Sequence, residues 1–319
     1  MSTHKKSRAM NDFSTIILGA GLGKRMYSKT PKVLHKILGK AIISFVIDKV
    51  KNIKCAEIIV VTGKNRKNIE KELDNAVKYA VQPIPLGTGD AARKGIEIAT
   101  YTTVLILNGD VPLLREKTIK GLIDYHQQTK AHLTILTCVM KNPSGYGRVL
   151  KDKRNRVSRI IEHPDATPKQ RKINEINVGA YYGNKRAILA ALGRINPQNR
   201  QGELYITDIV EELHRRKKKI VGFRINDEEE IMGINSQSDL AKARRIIKAR
   251  WLDELMGRGV SIEDPASTNI DLSVRFGKFV HIRPYTMIQG RTIIKDGTTV
   301  GPFAWIVDGK KKAIKAHVG

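Results

Sequence analysis

The residues best suited to chemistry come early in the chain. Leu18-Gly19-Ala20-Gly21-Leu22-Gly23-Lys24-Arg25-Met26 follows directly on a short β-type run, Thr15–Leu18. Glycines let a backbone approach a phosphate and turn its N–H groups toward it. The carboxyl end of a strand is where open α/β sheets take their ligands. The spacing Gly19-x-Gly21-x-Gly23 is not the GxGxxG of dinucleotide binding. It is not a Walker loop either, because three residues separate Gly19 from Gly23-Lys24 and Arg25 stands where Ser or Thr belongs. Alone, such a loop is equally a tight strand-to-helix turn. Lys24, Arg25 and, within Pro31-Lys32-Val33-Leu34, Lys32 bring three cations close to it. Cations around an anion-binding loop suit the charge neutralisation on which phosphoryl and nucleotidyl transfer depend. Asn108-Gly109-Asp110 closes another apolar run. A carboxylate there can hold Mg²⁺ through one or two oxygens, or cap a helix before Pro112.

These residues need a scaffold, and the pattern supplies one. Glu57–Thr62, Val77–Gln82, Thr103–Leu107 and His132–Met140 are continuous apolar runs, while Ala41–Val50 and Ala91–Ala99 have helical spacing. Strands that are apolar throughout, alternating with helices, predict a mainly parallel sheet covered on both faces. Arg148–Leu150 and Arg156–Ile161, split by the polar Lys151–Asn155, predict an inserted hairpin. Ser236–Met256 reads as one helix, with Ser236 as N-cap and Leu240, Ala243, Ile247, Trp251 and Leu255 as its apolar stripe.

Beyond that helix the period becomes six. Val274 and Val280 begin it, and Ile288, Ile294, Val300 and Ile306 continue, with Thr292, Thr298 and Ala304 small. Hexapeptide spacing predicts a triangular β-helix of about eighteen residues per coil, here about one coil from the clean pattern and about two over the whole region. Lys278 and Lys310 are expected to interrupt it at positions that call for small residues.

Composition narrows the function classes. The chain has 319 residues, 41% of them hydrophobic, which fits two domains with real cores. No apolar run reaches the ~18 residues of a membrane span, and Met1–Asp12 lacks the apolar stretch of a secretory signal. Two cysteines, Cys55 and Cys138, exclude a disulfide scaffold and a cysteine-cluster zinc site, and predict a cytoplasmic protein. The net charge of +27 is scattered over short runs, and aromatics are only 5%. That balance reads as a lysine-rich solvated surface, with no specific nucleic-acid partner and no membrane partner expected.

The three chemical features together resemble the signature of sugar-phosphate nucleotidyltransferases. Further matches follow in order: Gln82, Leu86-Gly87-Thr88-Gly89, Gly109-Asp110-Val111-Pro112-Leu113, Gly145-Tyr146-Gly147-Arg148, Ile161-Glu162-His163, Asp165-Ala166-Thr167, Glu175-Ile176-Asn177-x-Gly179, Gln201-Gly202-Glu203-x-Tyr205-x-Thr207-Asp208 and Gly233-Ile234-Asn235. At these separations they resemble the bacterial bifunctional N-acetylglucosamine-1-phosphate uridyltransferase/glucosamine-1-phosphate acetyltransferase family, from about Thr15 to the end of the long helix.

The resemblance implies a Rossmann-like α/β nucleotidyltransferase domain with a mostly parallel sheet over 13–235, after a polar tail over 1–12. A linker helix over 236–257 and a truncated left-handed β-helix over 258–319 would follow. It implies Mg²⁺-dependent transfer of UMP from UTP to N-acetylglucosamine 1-phosphate. Leu18, Ala20, Gly21, Gln82, Gly87 and Thr88 would bind UTP, and Arg25 and Lys32 would be catalytic. Asp110 and Asn235 would hold the metal. Gly147, Glu162, Asn177, Tyr205 and Thr207 would line the sugar site, with Glu203 in support. The sequence departs from the family's habit at Gly19, Lys24 and Asn108, and Trp305-Ile306-Val307-Asp308 stands where the family has a basic turn. Pieces such as Gly301-Pro302-Phe303-Ala304 and Ala316-His317-Val318-Gly319 are kept, but the acetyltransferase residues have no counterpart, so no acetyl transfer is expected. A homo-oligomer stays open, the family's trimer included. Two alternatives stay in view: another sugar 1-phosphate or nucleotide, and a catalytically silent basic binding protein.

Overall fold

The computed structural model describes residues 12–21, 23–64, 66–73 and 77–312. Residues 1–11, Leu22, the side chain of Lys24 and Ala316–Gly319, all named above, lie outside that description.

The expected alternation is present. β1 (Ser14–Leu18) runs into the glycine loop and two single 3₁₀ turns, Lys24–Met26 and Lys32–Leu34. A small hairpin, β2 (Lys36–Ile37) and β3 (Lys40–Ala41), leads to α1 (Ile42–Asn52). Then come β4 (Glu57–Thr62), α2 (Arg66–Glu72), β5 (Lys78–Val81), α3 (Thr88–Glu97), β6 (Thr103–Asn108), α4 (Glu116–Thr129) and β7 (Leu133–Val139). The inserted hairpin is β8 (Arg148–Lys151) and β9 (Val157–Ile161). After it follow α5 (Pro168–Arg171), β10 (Glu175–Asn184), α6 (Lys185–Leu192), α7 (Asp208–Arg215) and β11 (Ile220–Ile225).

The main sheet has the order β11-β7-β10-β6-β1-β4-β5. All neighbours in it are parallel except β10, which is antiparallel to β6 and to β7. Every residue of β4 is buried, as a strand covered on both faces requires. β10, the longest strand, escaped the sequence analysis because Asn177, Gly179 and Gly183 break its apolar pattern. α3 starts at Thr88, three residues before its apolar spacing begins at Ala91. The chain leaves β1 toward β4 and β5 and returns on the other side as β6. The ends of β1 and β6 are therefore a topological switch point, where such sheets bind ligands.

By its contacts the chain divides into two units, one running to Leu34 and resuming over Ile43–Gly233, the other made of His35–Ile42 and the chain from Ile234 onward. The long helix, α8 (Gln237–Gly257), thus packs within the second unit instead of standing apart as a linker. Ser236 caps it in a reciprocal box with Asp239, and its Leu240–Leu255 stripe is buried. After α8 come β12 (Ser261–Ile262), β13 (Asn269–Ile270), β14 (Arg275–Phe276), β15 (His281–Ile282), β16 (Met287–Gln289), β17 (Ile293–Ile294), β18 (Thr299–Val300) and β19 (Trp305–Val307). They pair in parallel with partners such as Ile270↔Ile288↔Ile306, eighteen residues apart. Eight strands on three faces make more than two coils, so the β-helix stub is longer than its clean repeat indicated. The earlier coils were hidden because Thr268 and Thr286 fill inward positions where an aliphatic residue was sought. Lys278 does not interrupt the inward series: it is exposed, and Val280 points inward at that step. Lys310 does end the pattern, in β20 (Lys310–Lys311), which turns back antiparallel on β19. Among the described residues no helix is long and apolar enough to cross a membrane.

Candidate active site

A cleft of about 570 Å³ opens at the switch point of the main sheet. Leu18, Ala20 and Gly21 line it from the glycine loop, and Gln82, Gly87 and Thr88 line it from the segment between β5 and α3. Lys32, Asp110 and Glu203 complete the predicted residues found there. The β1 and β6 ends are in register, Leu18 beside Asn108, and Gly109 N donates to Leu18 O at 2.9 Å. The loop itself is fixed by Gly19 N, which donates to Val61 O at 2.9 Å.

Glycine is required at Gly87. Its φ is 114°, and a Cβ there would sit 2.5 Å from Leu204 O. That close approach lets two segments zip together: Leu204 N donates to Leu86 O at 2.8 Å and Gly89 N to Leu204 O at 2.7 Å. The Thr88 hydroxyl accepts from Ile206 N at 3.1 Å. Glu203 is carried into the cleft by this pairing.

Gln82 is 4% exposed and its orientation is dictated by its neighbours. Its Nε2 donates to Gly87 O and to Asp90 Oδ2, both at 3.0 Å. Arg93 holds Asp90 on its other oxygen at 2.8 Å. Both amide hydrogens of Gln82 are used, so the group it has left to offer is Oε1, an acceptor. Asp90 was not singled out from the sequence; its signal is its place in the first turn of α3, eight residues after Gln82.

Lys32 Nζ forms an ion pair with Asp110 Oδ2, and both side chains are mostly buried. An ammonium group thus already stands against this carboxylate. One carboxylate beside a phosphate-sized cleft is the donor set Mg²⁺ takes, since it prefers one or two carboxylates plus phosphate oxygens and water. The residues present therefore fit the metal. Arg25 sits in the first 3₁₀ turn with its side chain exposed and is not among the residues lining the cleft. Asn235 belongs to the second unit, at the entrance to α8, where its N–H donates to Asp239 Oδ2 at 3.1 Å.

The expected sugar residues form a connected cluster within the first unit. Glu162 Oε1 accepts from Thr207 Oγ1 at 3.0 Å. Gly147 leaves room for it, since a Cβ there would lie 3.3 Å from Glu162 Oε2. Asn177 N donates to Gly147 O at 2.9 Å, and Asn177 Nδ2 donates to the Tyr181 hydroxyl at 2.7 Å. A shift of register between Asn177 and Tyr181 in β10 sets that geometry. Burial pushes the Glu162 carboxyl up from its ordinary range, against the Thr207 hydrogen bond, with Asp208 and Asp165 adding to the rise and Arg148 opposing it. Glu162 and Tyr205 line a second, smaller cleft of about 270 Å³ together with Asp165 and Asp208, while Gly147, Asn177 and Thr207 line neither cleft. The Tyr205 hydroxyl donates to Gln201 Oε1 at 2.9 Å, and Gln201 lines the larger cleft. Burial pushes Asp208 up to about 6.

Comparison with known proteins agrees with this architecture. The profile of the nucleotidyl transferase family matches residues 14–255. A protein named bifunctional protein GlmU from Caldanaerobacter subterraneus is 40% identical over 300 residues, covering 94% of this chain and 65% of its own length. The GlmU of Clostridium tetani is 40% identical over 296 residues, again covering 65% of its own length. That of Halalkalibacterium halodurans is 34% identical over 321 residues, covering 97% of this chain and 69% of its own. The chain thus spans about 65% of the length of the first two relatives. Among solved structures, a UDP-glucose pyrophosphorylase complexed with UDP-glucose superimposes with a TM-score of 0.64 at 17% identity, over 75% of this chain and 99% of that one. A putative glucose-1-phosphate thymidylyltransferase from Bacillus anthracis gives 0.61 at 20% identity, over 73% and 94%. The structural likeness speaks for the fold, and the sequence matches over most of the chain decide the rest: the chain belongs to the nucleotidyl transferase family and, within it, to the GlmU proteins.

Proposed function

We propose that this chain transfers UMP from UTP to N-acetylglucosamine 1-phosphate, releasing pyrophosphate and UDP-N-acetylglucosamine. The observation that carries the reading is the acceptor that Gln82 presents at the switch-point cleft. Uracil offers an N–H at its pairing edge where cytosine offers a bare nitrogen, so a fixed acceptor selects uracil. The glycine loop lies beside it for the ribose and phosphates, and Lys32 and Asp110 stand on the same cleft. The UDP-glucose in the related pyrophosphorylase structure supports a uridine nucleotide on this fold.

The chemistry asks little of the protein beyond placement and charge. A sugar-phosphate oxygen forms a bond to the α-phosphorus of UTP, and the bond from that phosphorus to the bridging oxygen breaks as pyrophosphate leaves. The nucleophile is already anionic near neutral pH, so no side chain must take its proton. Lys32 would neutralise charge building on the departing phosphates. Mg²⁺, when held by Asp110, would supply further neutralisation of the triphosphate. Glu162 and Asn177 would bond sugar hydroxyls and the acetamido group, and Thr207 would fix the Glu162 carboxylate. Arg25, exposed on its turn, would swing to the phosphates once they are bound.

The test is pyrophosphate release from a grid of substrates with Mg²⁺. UTP with N-acetylglucosamine 1-phosphate should exceed every other pair of nucleotide with N-acetylglucosamine, glucosamine or glucose 1-phosphate. A different best pair would keep the mechanism and move the substrate. No release with any pair, from folded protein, would overturn the proposal.

A further inference from the structure

Among the described residues the largest fully buried side chain is Arg148. It is 1% exposed, and no carboxylate bonds to it among the described residues. Its Nη1 donates to Tyr146 O, and its Nη2 to Arg171 O at 3.5 Å. Nη2 also lies 3.3 Å from His163 Nδ1, which must then be the lone-pair nitrogen, because a guanidinium can only donate. Its Nε is buried with no partner. A buried charge without a bonded counter-ion is costly, so its retention calls for a compensating negative charge nearby. The register says where that charge is. Arg148 on β8 pairs with Ile161 on β9 and with Ile176 on β10. The next residues along those strands are Glu162 and Asn177, the two groups assigned to the sugar.

We propose that Arg148 is a positioning residue for the sugar half of the site: its buried guanidinium keeps the Glu162 carboxylate ionised, so that Glu162 can accept hydrogen bonds from sugar hydroxyls. The proposal rests on the reading of Glu162 as a sugar contact. The need for such a cation is plain from what surrounds Glu162. Asp165 on its own turn and Asp208 at the start of α7 both disfavour its charge, as does burial. Thr207 donates to it. Tyr205 and the fully buried Tyr181 stand near it as neutral phenols, their own ionisation disfavoured chiefly by burial. Arg159, Arg194 and Arg215 line the same cleft but are paired with Glu211 and Glu212, and Arg148 is the cation that acts on Glu162 in the opposite sense. Burial, Arg148 and Arg171 all press His163 toward the neutral form.

The sign of the effect follows. Glu162 is anionic above its pKa, and removing Arg148 raises that pKa, so sugar affinity is lost at a higher pH than in the wild type. The experiment measures KM for N-acetylglucosamine 1-phosphate and for UTP across pH in wild type, Arg148→Met, Arg148→Lys and Glu162→Gln. The sugar phosphate itself titrates near pH 6, but in every variant alike, so differences between proteins carry the information. Arg148→Met should raise the sugar-phosphate KM about ten-fold near pH 6 and less than about three-fold near pH 8.5, with UTP KM unmoved. Arg148→Lys, which keeps the charge, should keep the wild-type pH profile. A KM penalty in Arg148→Met that is equal at every pH, or absent, would overturn the proposal and leave Arg148 as an anchor for two carbonyls. If Arg148→Met does not fold, Arg148→Lys decides: a displaced acid limb despite the retained charge overturns the electrostatic role, and an undisplaced one supports it. Glu162→Gln separates the two layers. It should raise the sugar KM at all pH values, and a wild-type KM there would sink the sugar-contact reading itself, whatever Arg148 does.

Discussion

Replacing Gln82 by Leu tests the nucleotide half of the account. The side chain is 4% exposed and donates to Gly87 O and to Asp90 Oδ2, each at 3.0 Å. Leucine fills much of the volume and makes neither bond. The bond to a neutral carbonyl is worth about 1 kcal/mol and the one to a carboxylate about 1.5–3 kcal/mol, so about 2–4 kcal/mol of stability should go. For a domain of this size that lowers Tm by about 5–15 °C, a fall that a folded enzyme can survive. The catalytic signature is separate. With Gln82 present, CTP sets its ring nitrogen against Oε1, acceptor against acceptor, at a cost of about 1.4–3 kcal/mol, or about ten- to 150-fold in kcat/KM. In Gln82→Leu that repulsion is gone and so is the bond to uracil, so the UTP-to-CTP ratio should collapse to within about five-fold. The assay is kcat/KM for both nucleotides from pyrophosphate release, with Tm recorded on the same preparations. Asp90→Asn is the companion: it leaves Gln82 in place but gives its amide a partner that either face satisfies, so the ratio should fall part of the way. An unchanged ratio in Gln82→Leu would refute the reasoning, because the acceptor at Oε1 would then not be what selects the base.

Three further outcomes follow from other parts of the molecule. Lys32→Met removes the cation paired with Asp110 and should cut kcat about 100-fold or more while far-UV circular dichroism stays unchanged; a loss confined to UTP KM would contradict a role in the transition state. Burial alone would push Glu57 up, but bonds from Lys78, Ser14 and Thr100 hold its carboxyl down to about 2. Its contribution of about 3 kcal/mol is therefore present above about pH 4.5 and lost as pH falls toward 2, so acid unfolding of Glu57→Gln should depend less steeply on pH over that window than that of the wild type. Ser236→Ala removes the α8 capping bond that the Ser236 hydroxyl accepts from Asp239 N, leaves the bond from the Ser236 N–H to the Asp239 carboxylate, and should cost about 1 kcal/mol in urea unfolding, with UTP KM unaffected.

Which parts of this molecule were legible in the sequence follows from which residues carry unambiguous patterns. β4 and β6 were plain because buried parallel strands are apolar at every step. The Ser236 cap and the α8 stripe were plain because capping chemistry and helical spacing are local. β10 was missed because Asn177, Gly179 and Gly183 interrupt its apolar run, and its pairing with β7 shifts register between Asn177 and Tyr181. The β-helix was under-read because Thr268 and Thr286 serve inward as well as an aliphatic residue does. In the site, the glycine loop, Lys32 and Asp110 converge as their spacing foretold, since strand ends in a parallel sheet bring distant segments to one edge. The bond of Gln82 to Asp90, and the burial of Arg148 on the strand beside the one that ends at Glu162, left no trace in spacing: both depend on segments whose approach only the folded chain fixes. Gly145-Tyr146-Gly147-Arg148 did single out Arg148 as part of a motif, but only its burial without a carboxylate gives it a task.

The most direct test of the central claim is to follow UTP, N-acetylglucosamine 1-phosphate and Mg²⁺ with the purified protein by ³¹P nuclear magnetic resonance. The account predicts that the two coupled resonances of a nucleoside diphosphate sugar and the single resonance of pyrophosphate rise together in equal amounts, and that neither rises with Asp110→Ala. Pyrophosphate rising with UMP in place of the sugar nucleotide, or a wild-type spectrum that does not change, would contradict it.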